Sequence, residues 1–473
     1  MAAVQGHEFK AKLYRLGGLT AAFLALNAPF WWLQSEFFLS RPWMNIELML
    51  PLVVAARSLP AGVSLLLVLW GLDLASSSAV TFYFTSPLEF LRSAQFLSKT
   101  HWWSFATRER LLQAMPFVHC AAWAFTVMRH TIGRLPPWRT AFALAVLVVI
   151  VDVANGSSMF SNRAVRLFNG NPAGSPTLSL LVRAFQERAG RSNLVSLPAA
   201  SSGREAAAIE SWVRSHQNGS VLFVLVESLG WHRDPAMRQW LQDRLTPPDV
   251  RARYTLRQAQ VPFAGATTAG ELRELCGLAG NYRGLSTASA AGCLPRKLLD
   301  QGWTVVGFHG FSRHMFDRGD WWPLVGLREN HFAEDLVDKD HPLCGAAFAG
   351  ACDAAVLAQA AQRARVPRTM AYVLTLNSHL PLKPIDVPPD LAAVCQAAGA
   401  GDDICWLTAT LGSALSALAL QLSRPGENLP LVVVVGDHAP PFSALAERNQ
   451  YNQKNVPAFV LVPVRPGSAD PLQ

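Results

Sequence analysis

The apolar residues of this chain are unevenly placed. Long apolar runs crowd the stretch before residue 155, and beyond it the chain reads as an ordinary mixed domain. This asymmetry constrains the fold most: the first part is apolar enough for a bilayer, and the second must build its own core. Of 473 residues, 51% are hydrophobic and only 16% charged, against about a quarter charged in soluble proteins. The net charge of +8 comes without a long Lys/Arg run, which argues against a nucleic-acid partner. Basic residues flanking apolar runs instead orient membrane segments and meet anionic lipid.

The spacing predicts an α-helical transmembrane domain over residues 1–155, a membrane-proximal connector over 156–215, and a second domain with its own core over 216–473. Lys10, Lys12 and Arg15 precede an apolar run from Leu16 to Phe38. No small-residue cleavage site follows it, which reads as an uncleaved anchor. Further runs cover Met44–Ala56, Ala61–Phe84, Leu111–Met128 and Thr140–Val153. Counted separately they give about five spans, although Met44–Ala56 is short against the roughly 20 residues a crossing needs. The basic loop with Arg129, His130, Arg134 and Arg139 is expected in the cytoplasm, with everything after Ala154 on the other side. If Met44–Phe84 were one tilted helix, the count would be four and the second half cytoplasmic. His101-Trp102-Trp103 and Phe105 look like an interfacial aromatic belt. Helical stretches are expected near Leu178–Glu187 and Arg204–His216.

Six of the seven cysteines fall in the second half. Their close spacing suggests local disulfides, Cys276–Cys293, Cys344–Cys352 and Cys395–Cys405, in an oxidising compartment, which favours the five-span count. No C-x-x-C pair points to a structural zinc site.

From Val221 the pattern changes. Val221–Val226 is a continuous apolar run, as expected of a strand buried on both faces. Trp303–Phe308, Thr369–Leu376, Leu431–Val435 and Ala458–Val462 repeat it. Helical patterns lie between: Gly270–Leu278, Leu294–Gln301, Asp353–Ala364 and Trp406–Leu422. The alternation predicts an α/β domain with a mostly parallel sheet, whose ligands sit beyond the carboxyl ends of the strands.

The notable polar residues fall there. Glu227 follows the first strand, and Asp437 and His438 follow Leu431–Gly436. Two carboxylates and an imidazole suit zinc or manganese, with Thr267 able to add a fourth oxygen. Thr267 lies in a small-residue loop, Pro262 to Gly270, that admits a bulky ligand and leads into a helix whose free N–H groups suit an anion. A divalent ion would lower the pKa of the hydroxyl and screen a phosphate. A plainer account of the loop is a capping box, with Thr268 as N-cap and Glu271 three residues on. Two further loops suit an anion: His309 to Arg318 after the Trp303 strand, and Asn377-Ser378-His379 after the Thr369 strand. Arg318 can fork onto phosphate oxygens, and His309 or His379 can hold such an oxygen or pass a proton.

Taken together, these motifs resemble the alkaline phosphatase/sulfatase superfamily and, within it, the lipoteichoic acid synthase-like phosphoglycerol transferases. The resemblance covers nearly the whole chain. The family's metal-binding Glu matches Glu227, and its G-x-T-[ST]-x-x-E segment matches Gly265 to Glu271, which makes Thr267 the nucleophile. Its G-D-H is Gly436-Asp437-His438. Its head-group site is similar to His309, Phe316, Arg318 and His379, with Phe316 where the best-known members carry Trp. The cysteine density looks more like the related phosphoethanolamine transferases.

The resemblance implies a divalent metal, zinc or manganese, held by Glu227, Thr267, Asp437 and His438. It implies a multi-pass protein of a bacterial inner membrane with its catalytic domain in the periplasm. The enzyme would move phosphoglycerol from phosphatidylglycerol onto an envelope glycan or lipid-linked acceptor, or phosphoethanolamine from phosphatidylethanolamine onto lipid A or a surface polysaccharide. Three rivals are weaker. Cys293-Leu294-Pro295-Arg296-Lys297 ends in Lys where a sulfatase's C-x-P-x-R needs Arg. Val226-Glu227-Ser228-Leu229-Gly230 lacks the first Gly of a hydrolase elbow. A non-catalytic binding protein would not need the intact set of Glu, Thr, Asp and His.

Overall fold

This computed structural model describes residues 2–36, 41–84 except 56, 108–131, 173–178, 194–198 and 204–464 except 338–342, 347 and 427, with isolated positions between them. The chain divides into two units. The first takes in Met1–Arg92, His101–Gly190 and Ser443–Leu445, and the second takes in the rest.

In the first unit, helices α1 (Ala2–Glu36), α2 (Met49–Ala55), α3 (Leu59–Thr81) and α4 (Arg108–Thr131) follow the apolar runs. Among the described residues, two helical stretches are long and apolar enough to cross a membrane, Leu59–Ala79 and Asp402–Ser423, not the five or so expected. Met44–Ala56 explains part of the difference. Met44–Asn45 pairs as a short parallel strand with Ala173–Gly174, a 3-10 turn follows, and α2 has only 7 residues. Such a helix is about 10 Å long against a hydrocarbon core of about 30 Å. Within Leu111–Met128 the apolar helical stretch is short, Met115–Val127. The aromatic belt lies outside the described residues, and Thr140–Val153 and Leu178–Glu187 lie largely outside them.

This unit buries charge in compensated form. Arg41 points Nε and a terminal nitrogen at Asp73, the closer contact being 2.7 Å, and Asn45 and Ser77 also donate to that carboxylate. An ion so placed in an apolar setting has to be paired.

The second unit is built on a 7-stranded sheet. Its strands are β1 (Val221–Val226), β2 (Tyr254–Pro262), β3 (Thr304–His309), β4 (Glu329–His331), β5 (Thr369–Leu374), β6 (Leu431–Gly436) and β7 (Asn455–Pro463). Their order across the sheet is β2-β7-β6-β1-β5-β3-β4. The five strands from β6 to β4 pair in parallel, and β7 runs antiparallel to both its neighbours. The sheet is therefore mixed, and β7, read as one more strand of the repeating pattern, is the reversed one.

The run of β1 is apolar at every position because both faces are covered. Leu222, Val224 and Val226 face a core shared with α6 (Pro235–Leu245), α10 (Asp353–Arg363) and α11 (Asp402–Ser423). Val221, Phe223 and Leu225 face the core of α5 (Arg204–Ser215), α7 (Thr267–Cys276), α8 (Leu294–Asp300) and α9 (Arg318–Val325). Helix α11 passes a membrane test on composition alone, yet more than half of it is buried inside this unit. It is a core helix. All three expected disulfides form, Cys276–Cys293, Cys344–Cys352 and Cys395–Cys405, leaving Cys120 as the free thiol among the described residues.

Candidate metal and phosphate site

Two strand ends and one helix start meet at a point. β1 delivers Glu227, and the next residue, Ser228, has a φ of 57°. That left-handed turn is uncommon for a residue with a side chain and marks a constrained site. Ser228 then serves both acids: its hydroxyl donates to Glu227 Oε1 at 2.9 Å and its N–H to Asp437 Oδ1 at 2.8 Å. β6 delivers Asp437 and His438. Helix α7 begins at Thr267, whose hydroxyl donates to Glu227 Oε2 at 2.9 Å and lies 3.4 Å from His438 Nε2.

The capping-box account does not hold. The N-cap is Ala266, without a side-chain bond, and the helix spans Thr267–Cys276, starting earlier than the expected Gly270. Glu271 lies one turn inside α7 and is fully buried, bonded to Arg318 Nε at 3.0 Å and to Trp322 Nε1 at 2.9 Å. Gly270, in the first turn of this helix, packs against Asp437. A Cβ there would sit 3.1 Å from Asp437 Cα, so any larger residue would push the helix start and this loop apart by a few tenths of an ångström.

Glu227, Asp437 and His438 are all buried, and one ligand atom from each lies within 4.8 Å of the others. Burial would raise the Glu227 carboxyl, but the imidazoles of His379 and His438 and the Ser228 bond outweigh it and hold it at about 2. Burial and the charge of Glu227 push Asp437 well above the ordinary carboxylate range. Its Oδ2 lies 3.2 Å from His438 Nε2 and accepts no hydrogen bond, which is costly for a buried oxygen. A divalent cation would cancel the repulsion and complete that oxygen, so this donor set fits one.

The three histidines share one arrangement. Nδ1 of His438 faces Ala439 O at 3.0 Å, Nδ1 of His309 faces Leu374 O at 3.0 Å, and Nδ1 of His379 faces Leu380 O at 2.7 Å. A backbone carbonyl only accepts, so Nδ1 carries a proton in each ring, and a neutral ring would offer its lone pair at Nε2. Burial lowers His438, and burial with the Arg318 charge pushes His309 down to about 3. His309 Nε2 is buried with no hydrogen-bond partner. Phe348 packs edge-on against His379, ring centres 4.4 Å apart.

Arg318 is buried, and its Nε and one terminal nitrogen lie on Glu271 Oε2 at 3.0 and 2.9 Å. The edge expected to fork onto phosphate thus meets an acid of α7. The Phe316 ring stacks over the guanidinium at 5.1 Å. Phe316 and Asp317 both take left-handed φ values, 57° and 52°.

Asp353 is a residue that the sequence reading passed over except as the start of a helix. Its two oxygens accept from Leu376 N at 2.8 Å and Asn377 N at 2.9 Å, bracing the turn that carries His379. Burial lifts it from 3.8 to about 7, against those two N–H bonds. With the folded value raised, this group stabilises the fold at low pH and loses that contribution as pH rises through 7. The swing is about 4 kcal/mol. Denaturant unfolding between pH 4 and 8 should show this fall in the wild type, and a flatter profile for Asp353→Asn. Equal slopes would remove the assignment.

With this geometry the chain can be set beside known proteins. No protein-family model matches it, and no curated protein does. Solved structures do. The chain is similar to members of the alkaline phosphatase superfamily. The lipoteichoic acid synthase LtaP from Listeria monocytogenes matches at 16% identity and a TM-score of 0.39, over 54% of this chain and 67% of that one. The Streptococcus pyogenes phosphoglycerol transferase GacH, in complex with sn-glycerol-1-phosphate, matches at 15% and 0.37, over 57% and 77%. The lipooligosaccharide phosphoethanolamine transferase EptA from Neisseria meningitidis matches at 13% and 0.40, over 83% and 75%.

Proposed function

We propose that the chain is a membrane-anchored, metal-dependent transferase that moves phosphoglycerol from phosphatidylglycerol onto an envelope glycan through a phosphothreonine intermediate. One observation carries this reading: a helix-start hydroxyl, Thr267, meets the Glu227 carboxylate and the His438 imidazole, which cluster with Asp437 in a buried group drawn from distant loops. Glu227, Asp437 and His438 would hold a divalent ion, zinc or manganese, which would acidify the hydroxyl and screen the phosphate.

The chain's own groups do the rest. Glu227 Oε2 orients the hydroxyl and is placed to take its proton. Thr267 Oγ1 attacks phosphorus, forming a P–O bond as the bond to the diacylglycerol oxygen breaks. His379 and His309 interact electrostatically with Glu227, and we assign them to protonating the departing diacylglycerol oxygen and to holding the head group, with Arg318 and Phe316. An acceptor hydroxyl then takes the glycerophosphoryl group, giving its proton to the histidine that lost one, as the P–Oγ1 bond breaks and Thr267 recovers its proton from Glu227. Such covalent two-step transfer gives ping-pong kinetics.

A water-insoluble donor fits an anchored enzyme. Helix α3 is long and apolar enough to span, and Leu67, Val68, Val118 and Trp123 of α3 and α4 are exposed, as lipid-facing side chains are. We place the anchor in residues 1–155, the connector in 156–215 and the catalytic domain in 216–473, on the periplasmic side of a bacterial inner membrane.

Mass spectrometry of protein trapped with donor but no acceptor tests the reading. Added mass on the Thr267 peptide is expected, and its value separates phosphoglycerol from phosphoethanolamine. Unmodified Thr267 while diacylglycerol is released would overturn the covalent scheme.

A further inference from the structure

Helix α7 carries a second charged residue that the scheme above does not use. Arg273 is buried, and its guanidinium reaches across to the end of β6, donating to Gly436 O at 2.7 Å and to Asp437 O at 3.0 Å. Its Nε donates to Glu274 Oε1 at 2.5 Å, and Glu274 is itself fully buried. At this point β6 has run out of sheet: its pairing with β1 ends at Gly436 opposite Val226. The next carbonyls need donors from elsewhere, since buried backbone oxygens are seldom left bare. One planar guanidinium supplies two donors at the spacing of successive carbonyls, which an ammonium point charge does not reproduce.

We propose that Arg273 is a positioning residue for the metal-binding pair Asp437 and His438. It holds the backbone on either side of the Asp437 Cα, and so sets where that carboxylate and the following imidazole point. Glu274 offsets its charge, so the effect on a cation is one of aim. Gly270, one turn earlier on α7, lets the same backbone come within contact distance. The helix that presents Thr267 thus also sets the ligands that Thr267 faces. This inference rests on the metal-dependent reading and deepens it.

The test is affinity for the metal alone. Full-length protein is stripped by chelation, and its Kd for zinc and for manganese is measured by competition with a chromophoric chelator, for wild type, Arg273→Met and Arg273→Lys. Partners that orient a ligand change metal affinity by about 10–100-fold. That loss is expected for Arg273→Met, and a smaller one for Arg273→Lys, which keeps the charge but not the planar fork. A purely structural role would lower the melting temperature of the stripped protein and leave Kd unchanged, and that result overturns the proposal. Should the Met variant fail to fold, wild-type affinity in the Lys variant overturns it equally. If wild type itself binds neither ion, the metal-dependent reading fails, a result separable from failure of Arg273 alone.

Discussion

Thr267→Ala is expected to abolish head-group transfer while leaving the protein folded and inserted. Removing a covalent nucleophile costs turnover on the order of 10⁴-fold or more, because no other group takes over the bond-making step. The structural cost is small by comparison. Alanine suits a helix start, and the hydroxyl's single donated bond to Glu227 is worth about 1 kcal/mol. The variant retains Glu227, Asp437 and His438, so it should still bind the ion, which separates loss of the nucleophile from loss of the site. Transfer is read as diacylglycerol release from head-group-labelled lipid. Wild-type-like turnover by the alanine variant would end the mechanism, whatever else the site contains.

Removing the metal should be equally severe and, unlike the mutation, reversible. The stripped site keeps two carboxylates buried side by side, one held ionised at about 2 and the other pushed up well above its normal range. In that state nothing screens the repulsion between them, and Thr267 keeps only its contacts with Glu227 and His438. Activity should vanish on chelation and return when zinc or manganese is restored. Bound metal should also stabilise the fold, by about 2.7 kcal/mol at 100 times its Kd, visible as a higher melting temperature. Unchanged activity after verified removal of all bound metal would exclude the role assigned to these ligands.

Much of this centre was legible in the sequence because the fold class dictates where ligands go. A run such as Val221–Val226 is buried on both faces, and the first polar residue after it has to emerge at the sheet's carboxyl edge. Glu227, His309 and Asp437 could be placed that way without coordinates, and close cysteine spacing foretold the three disulfides. What stayed hidden were pairings across long separations. Glu271 looked like half of a capping box because its partner Arg318 lies 47 residues on. Nothing in the sequence singles out Arg273, because its partners are backbone oxygens, which leave no mark there. Strand β2 was missed since it lies at the sheet edge, where half-exposed positions carry Arg257, Gln258 and Gln260. The two-residue strand before α2 was missed because an apolar stretch interrupted by tertiary pairing reads like an uninterrupted one.

Helix α11 carries a warning for anyone drawing this protein's topology. Val221–Val226, upstream of it, and Leu431–Gly436, downstream, lie side by side in register, so no lipid layer can separate them. A diagram that threads Asp402–Ser423 through the bilayer would invert the compartment assigned to all that follows, His438 included. Reporter tags inserted at residues 217–219 and fused beyond residue 464 must light up in the same compartment.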